Sequence, residues 1–231
     1  MQTLLKRHGI YNAERRFSGD EPDQEMLKRF LLTRAISRKG RSVIMPMIDL
    51  VNHSPAAKAY DTDNDGIGVA GLHDGEVLVM YNAYDSIGRL IAYGFNCSEP
   101  LAFSIRCQLQ HQSRQVLVRP GVSKSPFQPC KVELIDERLV IDQPLLGAMR
   151  SPRMPRTIFI QACAAHDGIN ANELFDQIQQ YNTIALVNLL RALEDNGEPV
   201  AKQLKTACLD QLLTLSHHIG QRDDLLNGNA D

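Results

Sequence analysis

The stretch Val43-Ile-Met-Pro-Met-Ile-Asp-Leu-Val-Asn-His-Ser54 decides how the first part of this chain is read. Ser42–Met45 is a short apolar run with the length of a buried strand. Pro46 breaks it, and the segment from Pro46 to Ser54 is irregular. Such a segment can offer backbone N–H and C=O groups to a ligand, which a regular strand spends on its neighbours. Upstream, Asp20-Glu21-Pro22-Asp23 reads as a helix start. Leu27, Phe30, Leu31 and Ala35 follow at helical spacing, predicting an amphipathic helix over Asp23–Ser37 that ends at Lys39-Gly40-Arg41. Gln2–His8 also reads as helical. Downstream, Gly68–Leu72 and Glu76–Tyr81 read as two strands of a hairpin about His73-Asp74-Gly75. Ser86–Tyr93 then reads as a short helix.

The composition shifts after Pro100. Phe103–Gln112 reads as a helix start and Gln115–Arg119 as a strand. Lys131–Ile135 and Arg138–Asp142 alternate about Asp136-Glu137, predicting a hairpin. Gln143–Pro155 reads as loop. From Arg156 the pattern is helical, with one stripe at Ile184, Val187, Leu190 and Leu193. A second stripe runs through Leu204, Cys208, Leu212, Leu215 and Ile219. Asn196-Gly197-Glu198-Pro199 separates them, with Gly as a stop and Pro just inside the next start. Leu226–Asp231 reads as a frayed end.

Whole-chain properties narrow the function classes. The 231 residues are 43% hydrophobic and 23% charged, with net charge -2, as in an ordinary globular protein. That balance gives no electrostatic footprint for nucleic acid, and scattered Lys and Arg give none for a membrane surface. No apolar run is long enough to span a bilayer, and the N-terminus has no secretory h-region. The five cysteines form no C-x-x-C pair, which argues against a disulfide framework and structural zinc and fits the cytoplasm.

Two motifs are set aside. Asp61-x-Asp63-x-Asp65-Gly66 opens like a calcium loop, but the twelfth position, which requires a bidentate carboxylate, is Leu72. Gly66-x-Gly68-x-x-Gly71 spells a dinucleotide fingerprint, yet an acidic turn precedes it and a strand pattern follows, not a helix N-terminus.

The order of the remaining pieces resembles the SET domain, in particular the class that includes the Rubisco large-subunit lysine methyltransferase and the actin histidine methyltransferase. The class pattern P-M-x-D-x-x-N-H-S is matched by Pro46, Met47, Asp49, Asn52, His53 and Ser54. The G-E-x-x-x-x-Y strand is matched by Gly75, Glu76 and Tyr81, and Y-G-F by Tyr93-Gly94-Phe95. Thr33-Arg34-Ala35-Ile36-Ser37 resembles the S-R-A-F-S helix end. The resemblance implies an α+β fold: a partial, β-clip-like SET domain of short strands in residues 1–100, then a mainly helical domain in 101–231 similar to the substrate-binding domain of that class. Nothing before Asp23 matches the opening strands with their G-x-G turn. The implied chain therefore carries only the later part of the SET fold, with unpaired strand edges through which it could associate.

The implied activity is methyl transfer from S-adenosylmethionine to a lysine side chain of a protein, without a metal. Asn52 would hold the amino-acid end of the cofactor and His53, mainly by its backbone, the adenine. Asp49 and Arg34 are further cofactor-side candidates, and Tyr93 and Tyr81 the catalytic ones. A lysine amine has a pKa of about 10.4 and must be neutral to attack. Desolvation and the sulfonium charge both favour the neutral form. Aromatic walls tolerate the cationic centre and exclude water. The alternative from another class is a non-catalytic, SET-derived protein-interaction module.

Overall fold

The computed structural model describes Arg7 and residues 22–38, 40–45, 47–61, 66–69, 71, 74–123 and 125–217. The Gln2–His8 helix (Arg7 apart), Thr62–Asp65, Leu72, Ile219 and the Leu226–Asp231 end lie outside these residues. The fold is α+β, and no sheet of the described residues closes into a barrel. Two compact units meet in sequence between Asn82 and Ala83.

The first unit holds helix α1 (Pro22–Arg34), strands β1 (Ile36–Arg38) and β2 (Arg41–Val43), a 3-10 turn (Ile48–Leu50), β3 (Asn52–His53) and β4 (Leu78–Val79). The helix stops at Arg34, three residues early, because Ile36–Arg38 pairs antiparallel with Arg41–Val43 across Gly40. Gly40 has φ 75°, which glycine adopts without a Cβ penalty. Among the described residues, the expected hairpin of Gly68–Leu72 with Glu76–Tyr81 has no strand pairing. β4 pairs in parallel with β3, while Gly68 bridges Asp61. The D-G signal is local, and the pairing that prevails spans some two dozen residues. Leu27, Phe30 and Leu31, expected to face a core, are exposed.

The second unit holds α2 (Ser86–Tyr93), β5 (Leu101–Phe103), β6 (Cys107–His111), β7 (Arg114–Arg119), β8 (Lys131–Ile135), β9 (Arg138–Asp142), β10 (Leu145–Ala148), α3 (Met154–Cys163), α4 (Ala171–Ala192) and α5 (Pro199–Ser216). It starts at Ala83, not near Pro100, because α2 sends Ile87 and Leu90 into the same core as Ala102, Val116, Leu186 and Leu204. Two hairpins lie side by side in the order β6-β7-β9-β8, joined by the parallel pair β7–β9. The β8–β9 turn is Asp136-Glu137, both at positive φ, as expected of a tight hairpin.

Phe103–Gln112 is extended rather than helical, with the end of β5 and all of β6 in it. Phe103, Ile105, Cys107 and His111 are buried, while Gln108 and Gln110 are exposed, a period of two. Leu145–Ala148, expected as loop, pairs with β5 and is wholly buried.

Helices dominate from Met154. In α5 the stripe Leu204, Cys208, Leu212 and Leu215 is buried as expected, and Pro199 occupies the first turn. In α4 the buried line is Ile178, Asn182, Leu186 and Leu189, continued by Leu193 at the C-cap; of the expected stripe Leu193 is buried, whereas Ile184 is 53% exposed. Asn182 turns the helix to this phase. Its Oδ1 accepts from Ile105 N at 2.8 Å, and its Nδ2 donates to Ser104 Oγ at 2.9 Å and to Ile178 O at 2.8 Å. The buried amide therefore has its partners.

β10 lies against α5 at Gly147, where a Cβ would sit 2.7 Å from Thr214 O. Backbone cannot yield there as a side-chain tip could. Gly147→Ala is expected to lower stability by about 1–3 kcal/mol, read from the urea midpoint.

Candidate functional site

The candidate residues divide between the units. In the first, β3 and β4 bring Asn52, His53, Glu76 and Tyr81 together. Asn52 N donates to Val77 O at 3.3 Å and Ser54 N to Val79 O at 3.1 Å. In a parallel ladder the residue between two such donors turns its own backbone the other way. The N–H and C=O of His53 therefore lie on the edge opposite β4. The His53 ring is engaged separately, its Nδ1 accepting from Tyr81 N at 3.2 Å. That bond places the proton of the neutral imidazole on Nε2.

Asn52 is exposed, and its Nδ2 donates to Glu76 Oε1 at 2.5 Å. The pair keeps the amide Oδ1 and the carboxylate as acceptors, a set suited to an ammonium group. Tyr81 donates its hydroxyl to Val51 O, and its ring lies 5.2 Å from His53 and parallel to Tyr60 at 6.5 Å. The hydroxyl thus holds the loop ahead of Asn52. Tyr60 in turn reaches Ile48 O at 3.4 Å, tying the 3-10 turn to the same cluster. Asp49 lies in that turn. Arg34, at the end of α1, sets its guanidinium over the Phe30 ring at 5.1 Å.

Glu76 and Tyr60 were not marked as site residues by the sequence. Glu76 had a signal, the G-E pair. Tyr60 had none, because its contact depends on the parallel pairing.

Tyr93 belongs to the second unit. It ends α2, where Gly94 at φ 81° donates to Leu90 O at 2.8 Å and closes the helix. Its ring packs 5.0 Å from the Arg89 guanidinium, edge-on to Tyr84 at 5.9 Å and 6.1 Å from Phe95. Arg89 is fully buried, also lies 5.1 Å from Tyr84, and pairs with Glu99 at 2.6 Å. No family model, no curated protein and no solved structure matches the chain.

Other chemistry in the second unit is bound into structure. An open groove of about 790 Å³ along α3 and α4 contains none of the marked residues. Its Arg156 pairs with Asp176 and stacks on Phe175 at 4.7 Å. All five cysteines are free thiols. Burial pushes Cys107, Cys130 and Cys208 up to about 12 and Cys163 to about 11, which keeps them from acting as thiolates at neutral pH. No helix among the described residues is long and apolar enough to cross a membrane.

Asp85 is the most perturbed carboxyl among the described residues. It caps α2, accepting from Gly88 N at 2.6 Å, and also accepts from Phe103 N at 3.3 Å. Burial, reinforced by the Glu99 charge, raises it from 3.8 to about 6 against the opposing pull of those bonds. The folded state therefore holds this proton more firmly than the unfolded chain between about pH 4 and 6. Asp85 favours folding fully below that window, and the contribution is lost as pH rises through about 6. It amounts to roughly 3 kcal/mol at most. Asp85→Asn is expected to remove this downward slope of stability between pH 4 and 6, measured by denaturant titration at several pH values.

Proposed function

We propose that the chain is an S-adenosylmethionine-dependent protein N-methyltransferase acting on a lysine side chain. The observation that carries the reading is the Asn52–His53 segment: an exposed amide–carboxylate pair beside a strand edge whose backbone groups face away from the ladder. Asn52 with Glu76 would hold the ammonium end of the cofactor. The N–H and C=O of His53 would take the donor and acceptor edge of its adenine. These residues fit the cofactor's two polar ends. Bound there, S-adenosylmethionine supplies an electrophilic methyl on a sulfonium.

Tyr93 is assigned the catalytic hydroxyl, which orients the neutral amine, while its ring excludes water from the cationic centre. Tyr81 is reassigned from the amine to the loop, since its hydroxyl already holds Val51 O. For Arg34 and Asp49 the reading draws on the motif order. The five free thiols favour a reducing compartment, and we place the reaction in the cytoplasm. The second reading, a non-catalytic interaction module, draws on the exposed Met26, Leu27, Phe30 and Leu31 of α1.

Transfer of a labelled methyl group to lysine-containing protein is the direct test. Tyr93→Phe keeps the ring on Arg89 and removes only the hydroxyl, so it is expected to lower transfer by about 100-fold or more. Full activity in that variant would remove the hydroxyl's role. No transfer by the wild-type chain would remove the enzyme reading.

A further inference from the structure

Helix α1 turns outwards the side chains that its sequence marks for burial. Met26, Leu27, Phe30 and Leu31 are 67%, 59%, 47% and 43% exposed. With Asp23 and Arg34 they occupy positions i, i+3, i+4, i+7, i+8 and i+11, an arc of about 140° at 100° per residue. The stripe therefore has a carboxylate at its N-terminal end, four apolar side chains in the middle and a guanidinium at its C-terminal end.

Such a stripe complements itself under a two-fold axis. With the axis between positions 28 and 29, antiparallel helices set Asp23 against Arg34, Met26 against Leu31 and Leu27 against Phe30, each pair occurring twice. Every exposed apolar side chain of the stripe meets another, and both charged ends meet their opposites. Antiparallel packing also sets each helix N-terminus beside the other's C-terminus, which the helix dipoles favour. A lipid surface would fit less well, because Asp23 lies on the apolar face.

We propose that this face is a contact between two copies of the chain, packed through antiparallel α1 helices. A contact between 13-residue helices is small, so the association belongs to the weak, concentration-dependent class.

Sedimentation velocity of the full chain over roughly 1–200 µM tests it. The expected result is a monomer–dimer equilibrium. Leu27→Glu with Phe30→Glu should weaken it by about 100-fold or more. Asp23→Arg alone, or Arg34→Asp alone, should weaken it by roughly tenfold, and the two together in one chain should restore it. Restoration by the double swap excludes misfolding as the cause of either single loss. A wild-type chain that stays monomeric throughout would overturn the proposal, whatever else covers the face. A dimer unaffected by the Leu27 and Phe30 changes, or a double swap that does not restore association, would overturn it equally.

Discussion

Arg89 carries a permanent charge on a fully buried side chain, and Glu99, 2.6 Å from its Nε, is what allows it to stay there. Removing either partner of such a pair alone costs about 3–5 kcal/mol, because the other is left buried and uncompensated. The requirement reaches well beyond the two residues. Glu99 N donates to Ser86 Oγ at 3.1 Å, and Glu99 O accepts from Thr214 Oγ1 at 3.3 Å. The pair thereby joins α2 to α5. The guanidinium also lies about 5 Å from both the Tyr84 and Tyr93 rings, so the ring of Tyr93 packs against the buried charge.

A second demand lies beside it. The backbone around Phe103–Ile105 leaves β5 before β6 begins, deep in the core, and its polar groups need partners. Asp85 takes Phe103 N, Gln211 Nε2 donates to Phe103 O at 3.3 Å, and Asn182 takes Ile105 N. The cap of α2, the middle of α4 and the middle of α5 each supply a buried polar side chain to this segment. Gln211 also accepts from Ile87 N at 3.4 Å, so the same amide serves two elements. The raised pKa of Asp85 follows from this arrangement, with a carboxyl held by two backbone N–H groups yet shut away from water next to Glu99.

What could be read in the sequence divides along the same physics. α2 was legible to the residue, since Gly94 closes it locally. So were the Asp136-Glu137 turn and the α5 stripe. The phase of α4 was not, because the residue that sets it, Asn182, is polar and its reasons lie 77 positions away at Ile105. β10 was hidden in a Pro-containing stretch because its partner, β5, is distant in sequence. At the candidate site, the structure sets His53 beside Tyr81, two residues that the motif order had given separate roles. The hydroxyl of Tyr81 went elsewhere than expected, and Glu76 became visible as Asn52's partner only through the parallel β3–β4 pairing. The exposure of the α1 stripe was not legible either, because apolar spacing marks a face without fixing what lies against it.

The proposed chemistry uses little of this molecule directly: one amide–carboxylate pair, one strand edge and one tyrosine. The rest of the second unit holds that tyrosine by burying a charge beneath it. Calorimetric titration of the chain with S-adenosylmethionine tests the proposal most directly. The account predicts saturable binding at one site per chain, weakened roughly 10- to 100-fold by Asn52→Ala, as loss of a hydrogen bond to a charged group requires. Absence of binding by the wild-type chain, or binding indifferent to Asn52, would contradict it.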